Sequence, residues 1–229
     1  MSLVMIWTNL GSPIPLETPS QYKPYEWPSQ DLEHLLVPAE LTLPSLEKVI
    51  ERRRTRRSFG QLNREQLSSF LWLSCRTLAK GDDCIGFPIT QRPVSSAGAI
   101  HPIHLILGDY ADSWNRYDPD QHALSKIGSD GSVLIDLWHA ARKVVDPEEG
   151  TILVFVAEPG KTYAKYEFAD SLIWRDAGAL IGHMALVAEG LELDFCPLGI
   201  TGEPCVSKLD NQQHLVGVGL AILGSRIST

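Results

Sequence analysis

The sequence predicts an α+β fold in which helices surround a central mixed β-sheet. Segments whose apolar residues have helical spacing and segments typical of strands occur in an irregular order over 229 residues. They do not alternate regularly as βαβ units. Hydrophobic residues make up 44% and charged residues 21% of the chain, the balance of a globular protein rather than of a disordered one. We interpret the chain as one domain preceded by an arm.

Residues 1–44 are predicted to form that N-terminal arm, and 45–229 the body. Seven prolines from Pro13 to Pro44 interrupt any helix or central strand. The aromatic residues interleaved with them are Trp7, Tyr22, Tyr25 and Trp27. This composition indicates an extended segment that packs on a surface, either its own or a partner's. A partly ordered tail is the alternative.

Four helices are predicted in the body from apolar residues at helical spacing. In the second, Asn63 and Gln66 have the spacing of a capping box, and Gly81 is the expected stop. The fourth carries Gly178 and Gly182, which leave a groove for close packing in the core or in a dimer. The predicted helices begin near Ser45, Asn63, Ser132 and Ser171 and end near Arg53, Gly81, Val145 and Glu189.

Six strands are predicted between and after these helices. The run at 151–157 is continuously apolar and therefore reads as a buried strand. Segments 114–117 and 122–127 flank Asp118-Pro119-Asp120, which indicates a hairpin-like pair. The remaining predicted strands lie at 103–107, 193–195 and 216–223.

Charge and composition exclude several classes of function. The net charge of −8 and a pI of about 5.3 argue against a general nucleic-acid partner. No run approaches about 18 apolar residues, and no secretion signal is visible, so we expect no membrane partner and a cytoplasmic location. The four cysteines are too scattered for a disulfide scaffold and are expected to be reduced.

One dense basic run contrasts with this acidic average, because five of the six residues at 52–57 are arginine. Guanidinium groups bind phosphate oxygens in pairs of charge-assisted hydrogen bonds. An anion site is therefore one reading. A solvated helix end and a nucleic-acid patch are the others.

Familiar motifs of other chemistries are absent or incomplete. The chain has no P-loop, no GxSxG and no HExxH. Gly217-Val218-Gly219 lacks the third glycine and the following helix of a dinucleotide loop. His101 and His104 flank a proline and are interpreted as structural or solvent histidines, so no metal site is predicted.

Two further stretches contain groups suited to ligand binding or to proton transfer. The loop at 92–102 is rich in small residues and hydroxyls, which let backbone amides approach a planar ligand or an anion. A simple tight loop is the alternative. Lys165-Tyr166 carries an amine and a phenol, which matter only if they lie in a cleft.

Together these stretches resemble one family. Residues 53–59 (RRTRRSF) are similar to the RRSxRxF signature of FMN-dependent nitroreductases, with Thr55 in place of serine. Residues 95–102 (SSAGAIHP) resemble the PSAGALYP loop of the SagB-type branch, which includes the thiazole/oxazole azoline dehydrogenases. Residues 116–124 resemble its YxYDPxxHxL segment, and 165–191 its KYG…DAGH…LGL stretch.

The resemblance implies a mixed sheet in an intertwined homodimer, with an FMN in each of two clefts at the interface. Arg53 and Thr55 would hold the phosphate, and Arg54 would support the ribityl chain. Arg57 would face the pyrimidine end of the flavin. Arg226 is the basic residue near the chain end that would also reach the phosphate.

The resemblance also implies a contribution from the second subunit. Its loop would line the flavin ring with Ser95, Ser96, Ala97, Ala99 and His101. The segment formed by Pro197, Leu198 and Gly199 would face the ring and present backbone amides near flavin N5.

The activity implied is azoline-to-azole oxidation of a modified peptide or a similar small heterocycle, with Lys165 and Tyr166 transferring the proton. NAD(P)H-driven reduction of nitro compounds, quinones or enones is a second reading. A non-catalytic flavin-binding or complex-partner protein is a third.

Overall fold

The computed structural model describes residues 8–108, 114–128, 131–147, 149–210, 212 and 214–227. The α-helices assigned there are α1 (Leu46–Arg52), α2 (Arg64–Cys75), α3 (Gly131–Arg142), α4 (Pro159–Tyr163) and α5 (Asp170–Gly190). The strands assigned there are β1 (Ile14–Pro15), β2 (Ser29–His34), β3 (Ala79–Lys80), β4 (Thr90–Gln91), β5 (Ile103–Gly108), β6 (Trp114–Asp118), β7 (Ala123–Ile127), β8 (Thr151–Ala157), β9 (Tyr166–Glu167), β10 (Leu193–Leu198) and β11 (Val216–Ser225).

A seven-stranded sheet in the order β10-β11-β8-β5-β6-β7-β2 lies at the centre of the fold. The predicted α+β class is confirmed. Each ladder described in this sheet is antiparallel, where the sequence predicts a mixed sheet. β8 pairs with β5 on one side and β11 on the other, and Ile152–Ala157 is fully buried. Burial on both faces explains its unbroken apolar sequence.

Helices cover both faces of the sheet. On one face Phe155 packs in a cluster with Phe70 of α2 and Met184 of α5. On the other face Val154 belongs to a cluster with Leu137 of α3. Because successive side chains of a strand point to opposite faces, β8 contributes to both cores.

The second helix begins as predicted and ends earlier. Asn63 and Gln66 form the capping box, with hydrogen bonds of 2.8 and 3.0 Å between each side chain and the other residue's amide. The helix stops at Cys75, so the expected stop at Gly81 is wrong. Leu78 has the helical spacing, yet it is exposed and precedes β3, whose backbone pairs with β4 instead of continuing the helix.

Much of the segment predicted as an arm packs on this chain's own surface. β1 pairs with β9, and β2 forms the outer strand of the large sheet beside β7. An edge strand tolerates neighbouring prolines that a central strand would exclude. The Tyr22 and Phe87 rings meet edge-to-face at 6.4 Å. Residues 29–34 are therefore part of the sheet itself.

The long helix α5 presents an open stripe to solvent. Trp174 is 45% exposed, and a Cβ atom placed on Gly178 or on Gly182 would have no neighbour within 4 Å. The small-residue groove predicted from the sequence is thus uncovered in the single chain.

None of the described helices has the length and apolarity needed to cross a bilayer. The four cysteines are free thiols.

Candidate functional site

The loop at 95–101 is fastened to α5 through one carboxylate. Ser96 Oγ donates to Asp176 Oδ2 at 2.5 Å, and the Ala97 amide donates to Asp176 Oδ1 at 3.1 Å. The His101 amide in turn donates to Ser96 Oγ at 2.9 Å. Burial raises the pKa of Asp176, while these hydrogen bonds favour its charged form. Ser96 and Ala97 are therefore held in fixed positions by the helix.

Glycine at position 98 lets Lys165 and Tyr166 approach this loop. Gly98 has φ 62°, and a Cβ atom there would lie 2.8 Å from the Tyr166 hydroxyl and 3.1 Å from Lys165 Nζ. Such a φ favours glycine, and the two contacts leave no room for a side chain unless Lys165 and Tyr166 shift. Both Lys165 and Tyr166 are half-buried. The structure thus brings the predicted Lys-Tyr pair and the predicted loop together.

The N-terminal segment holds the Lys-Tyr pair from the other side. The Leu16 amide donates to the Lys165 carbonyl at 2.9 Å, and the Ser20 amide donates to the Ala164 carbonyl at 2.8 Å. Tyr166 itself lies in β9, paired with Pro15 of β1. The backbone that carries the amine and the phenol is therefore fixed by long-range hydrogen bonds.

The arginine run divides into paired and unpaired members. Arg56 contacts Glu189 Oε2 at 3.2 Å and Asp194 Oδ1 at 2.8 Å. Arg226 contacts the same two oxygen atoms, each at 3.2 Å. Both carboxylates are buried, so the two guanidinium groups neutralise charges that the core encloses. Arg226, predicted as a phosphate ligand, thus has other partners in the chain, and Arg52 contacts Glu192 at 3.3 Å.

The other arginines of the run are exposed. Among the described residues, the side chains of Arg53, Arg54 and Arg57 form no ion pair within 4 Å. Thr55 is exposed beside them. Burial raises the pKa of the Cys196 thiol and the charge of Arg57 opposes that rise, which places Arg57 near the start of the 197–199 segment.

The segment at 197–199 is partly accessible. Pro197 and Gly199 are exposed and Leu198 is buried, and a Cβ atom on Gly199 would have no neighbour within 4 Å. The open space over Gly199 leaves room for a planar ring to approach the backbone. We name the arginine run with this segment the first candidate half-site, and the 95–101 loop with Lys165 and Tyr166 the second.

The half-sites are separate within one chain. The cavity that includes Ser95, Ser96 and His101 includes no arginine of the 52–57 run. Ala99, at the loop's far end, has a left-handed φ of 58°. Burial and the charges of Arg92 and Lys161 lower the pKa of His101 to about 3, so its imidazole is neutral at neutral pH.

Some residues of this region were not predicted as site residues. Asp176 lies within the stretch that resembles DAGH, but its link to Ser96 depends on a contact between distant parts of the chain. Lys161 lines the cavity, and burial lowers its pKa to about 8. No local pattern marks Lys161, because its neighbours come from other elements.

Known structures match this fold, whereas no protein-family model and no curated protein matches the sequence. A candidate nitroreductase of Ralstonia eutropha has a TM-score of 0.64 at 18% identity, over 95% of this chain and 100% of that one. A chain of the Escherichia coli microcin synthetase McbBCD complex, solved with truncated pro-MccB17 bound, has a TM-score of 0.56 at 16% identity, over 83% of this chain and 76% of that one.

A third structure includes a ligand. A candidate nitroreductase of Desulfovibrio desulfuricans, solved in complex with FMN, has a TM-score of 0.50 at 15% identity, over 82% of this chain and 92% of that one. The chain therefore has the nitroreductase fold that its motifs predict.

Proposed function

We propose that this chain is an FMN-dependent oxidoreductase that works as a homodimer, with a flavin in each of two clefts between the subunits. The observation that carries the proposal is the position of the two half-sites near opposite ends of α5. Asp176 anchors the loop half-site, and Glu189 lies beside the arginine run. At 1.5 Å per residue these two helical positions are about 20 Å apart.

Gly178 and Gly182 lie between those two positions, on the open stripe of α5. If a second copy packs there by a two-fold axis, the loop of one subunit approaches the arginine run of the other. Each cleft then contains both half-sites. The exposed Trp174 on the same stripe supplies apolar area for this contact.

The unpaired groups of the arginine run fit an FMN phosphate. Arg53, Arg54 and Thr55 offer two exposed guanidinium groups and a hydroxyl to a dianion. Arg57 would lie at the pyrimidine end of the flavin ring, with the accessible backbone at 197–199 along the ring. A cation at that end stabilises the negative charge of a reduced flavin.

Lys165 and Tyr166 are the candidates for proton transfer. When bound, FMN supplies the acceptor for a hydride. Lys165 or Tyr166 would accept the proton that leaves carbon when a thiazoline or oxazoline becomes an azole, and molecular oxygen would then take the two electrons. The similarity to a chain of the microcin synthetase complex supports a peptide azoline as substrate.

The cofactor test compares two arginines of the same run. Arg53→Ala should yield a colourless protein, because it removes an unpaired phosphate ligand. Arg52→Ala is the matched control, since Arg52 contacts Glu192, and it should remain yellow. A wild-type protein that cannot be reconstituted with FMN would favour the non-enzymatic reading and refute the proposal.

The substrate test uses a synthetic peptide containing a thiazoline. Lys165→Ala should retain FMN and lose azole formation, followed by mass spectrometry as a loss of two hydrogens. Lys126→Ala, an exposed lysine on β7, is the control. Anaerobic bleaching of the flavin by NADPH without azole formation would instead support the reductase reading.

The dimer test fills the open stripe. Gly182→Leu places a branched side chain where the second helix would approach, and it should convert a dimer to a monomer in light scattering. An unchanged dimer that still binds FMN would remove α5 from the interface.

A further inference from the structure

Behind the 92–102 loop lies a cavity of about 180 Å³. Residues of this loop, of β5, of β6 and of α5 line it. Three cationic side chains line this cavity, and each belongs to a different part of the chain. They are Arg92, Arg116 and Lys161.

The positive charge in this cavity is not fully compensated by the protein. The buried Nε atoms of Arg92 and Arg116 have no hydrogen-bond partner in the described structure. Arg116 contacts Asp118 at 3.4 Å through a terminal nitrogen. No ion pair of Arg92 is found among the described residues. Lys161 Nζ reaches the His101 carbonyl at 3.4 Å, the long limit of a hydrogen bond.

Three carboxylates line the same cavity: Asp118, Asp120 and Asp176. Asp118 contacts Arg116, and Asp176 accepts from the Ser96 hydroxyl and the Ala97 amide. Asp120 lines the cavity, but it contacts Lys80 Nζ at 2.8 Å and accepts from the Thr77 hydroxyl at 2.6 Å. Arg92 and Lys161 are half-buried and form no ion pair within 4 Å among the described residues, so a bound anion would complement their charges. The cavity is thus chemically suited to a ligand with a negative charge.

The apolar part of the cavity wall indicates which kind of anion would bind. Val94, Ile103, Leu105 and Leu180 line the same cavity. A fully hydrated inorganic ion would gain nothing from these side chains, whereas a ligand with an apolar body would bury it there. The fork of a guanidinium matches the two oxygens of a carboxylate.

We propose that this cavity binds a small organic carboxylate, with its carboxylate on Arg92, Arg116 and Lys161 and its apolar body against Val94, Ile103 and Leu105. This site goes beyond the proposed flavin function, because none of its three cations is assigned to FMN. It adjoins that function through the loop, because Ser95, Ser96 and His101 also line the cavity.

The test is calorimetric titration of the purified protein with benzoate at pH 7 and constant ionic strength. Benzamide, which has the same shape without the charge, is the ligand control. We expect benzoate to bind at least tenfold more tightly than benzamide. Equal affinities, or no binding heat with benzoate, would refute the proposal.

Two variants test whether the measured heat of benzoate binding comes from this cavity. Arg92→Met should weaken benzoate binding at least tenfold, whereas Arg142→Met, at an exposed arginine paired with Asp146, should leave it unchanged. Unchanged binding in Arg92→Met would overturn the assignment. If that variant does not fold, Lys161→Met serves the same purpose, with loss of affinity expected and full affinity refuting the site.

A third variant separates this site from the flavin. Benzoate should still bind to Arg53→Ala, which is expected to lack FMN. Binding that disappears together with the flavin would place benzoate on the cofactor and refute the cavity site. Binding that persists in a protein unable to hold FMN would support the cavity even if the flavin proposal fails.

Discussion

Replacing Arg226 with methionine tests whether this residue supports the core or binds phosphate. Its two nitrogen contacts, each 3.2 Å long, end on Glu189 and Asp194, both of which are 4% exposed. Removing one partner of a buried ion pair costs about 3–5 kcal/mol. Because Arg56 contacts the same two oxygens, we expect a smaller loss of about 2–3 kcal/mol.

For a chain of this length each kcal/mol corresponds to about 2–4 °C, so Arg226→Met should lower the Tm by about 4–12 °C. Thermal unfolding followed by circular dichroism at pH 7 measures this shift. The same variant should bind FMN within about tenfold of the wild type, as measured by quenching of flavin fluorescence.

The control is Arg142→Met, whose side chain is 54% exposed and contacts the exposed Asp146, and whose loss should cost less than about 1 kcal/mol. An unchanged Tm in Arg226→Met combined with a hundredfold loss of FMN affinity would refute the reasoning. That result would return Arg226 to the phosphate site predicted from the sequence.

Three further predictions concern the loop, the histidines and the N-terminal segment. Asp176→Asn should cost about 1–3 kcal/mol and speed amide exchange in the loop that it anchors; unchanged exchange would contradict its anchoring role. Burial lowers the pKa of His101 to about 3 and of His104 to about 4. As the pH falls, these histidines therefore take up protons in the unfolded chain before they do so in the folded one. The free energy of unfolding should thus decrease as the pH drops from about 6.5 toward 4. Urea titrations should show this slope, and His104→Gln should flatten it; an equal slope in the variant would exclude His104 as its source. Removing residues 1–20 should speed exchange in β9 and leave the central sheet protected, and an unaffected β9 would show that β1 does not support it.

Elements with strong local signals were predictable. The unbroken apolar run predicts the buried strand β8, and the spacing of Asn63 and Gln66 predicts the start of α2. Both signals lie between residues that are close in the sequence. The end of α2 was not predictable, because β3 pairs with β4 across a loop rather than continuing the helical period.

The candidate site was predictable to the extent that its motifs are continuous. Residues 53–57, 95–101 and 165–166 could be recognised as three stretches, but their spatial relation could not. The pairing of Arg226 with buried carboxylates depends on the register of β10 against β11. The cavity cations come from three separate elements, and no spacing rule connects them.

The pairing of β1 with β9 joins positions about 150 residues apart in the chain. The backbone around Lys165 is therefore completed by a segment that leaves the ribosome long before it. Closing so large a loop costs entropy that only the finished sheet can offset. This segment should be among the last parts of the protein to become ordered, and a bulky fusion placed just before Ile14 would disturb the Lys-Tyr pair while sparing the sheet.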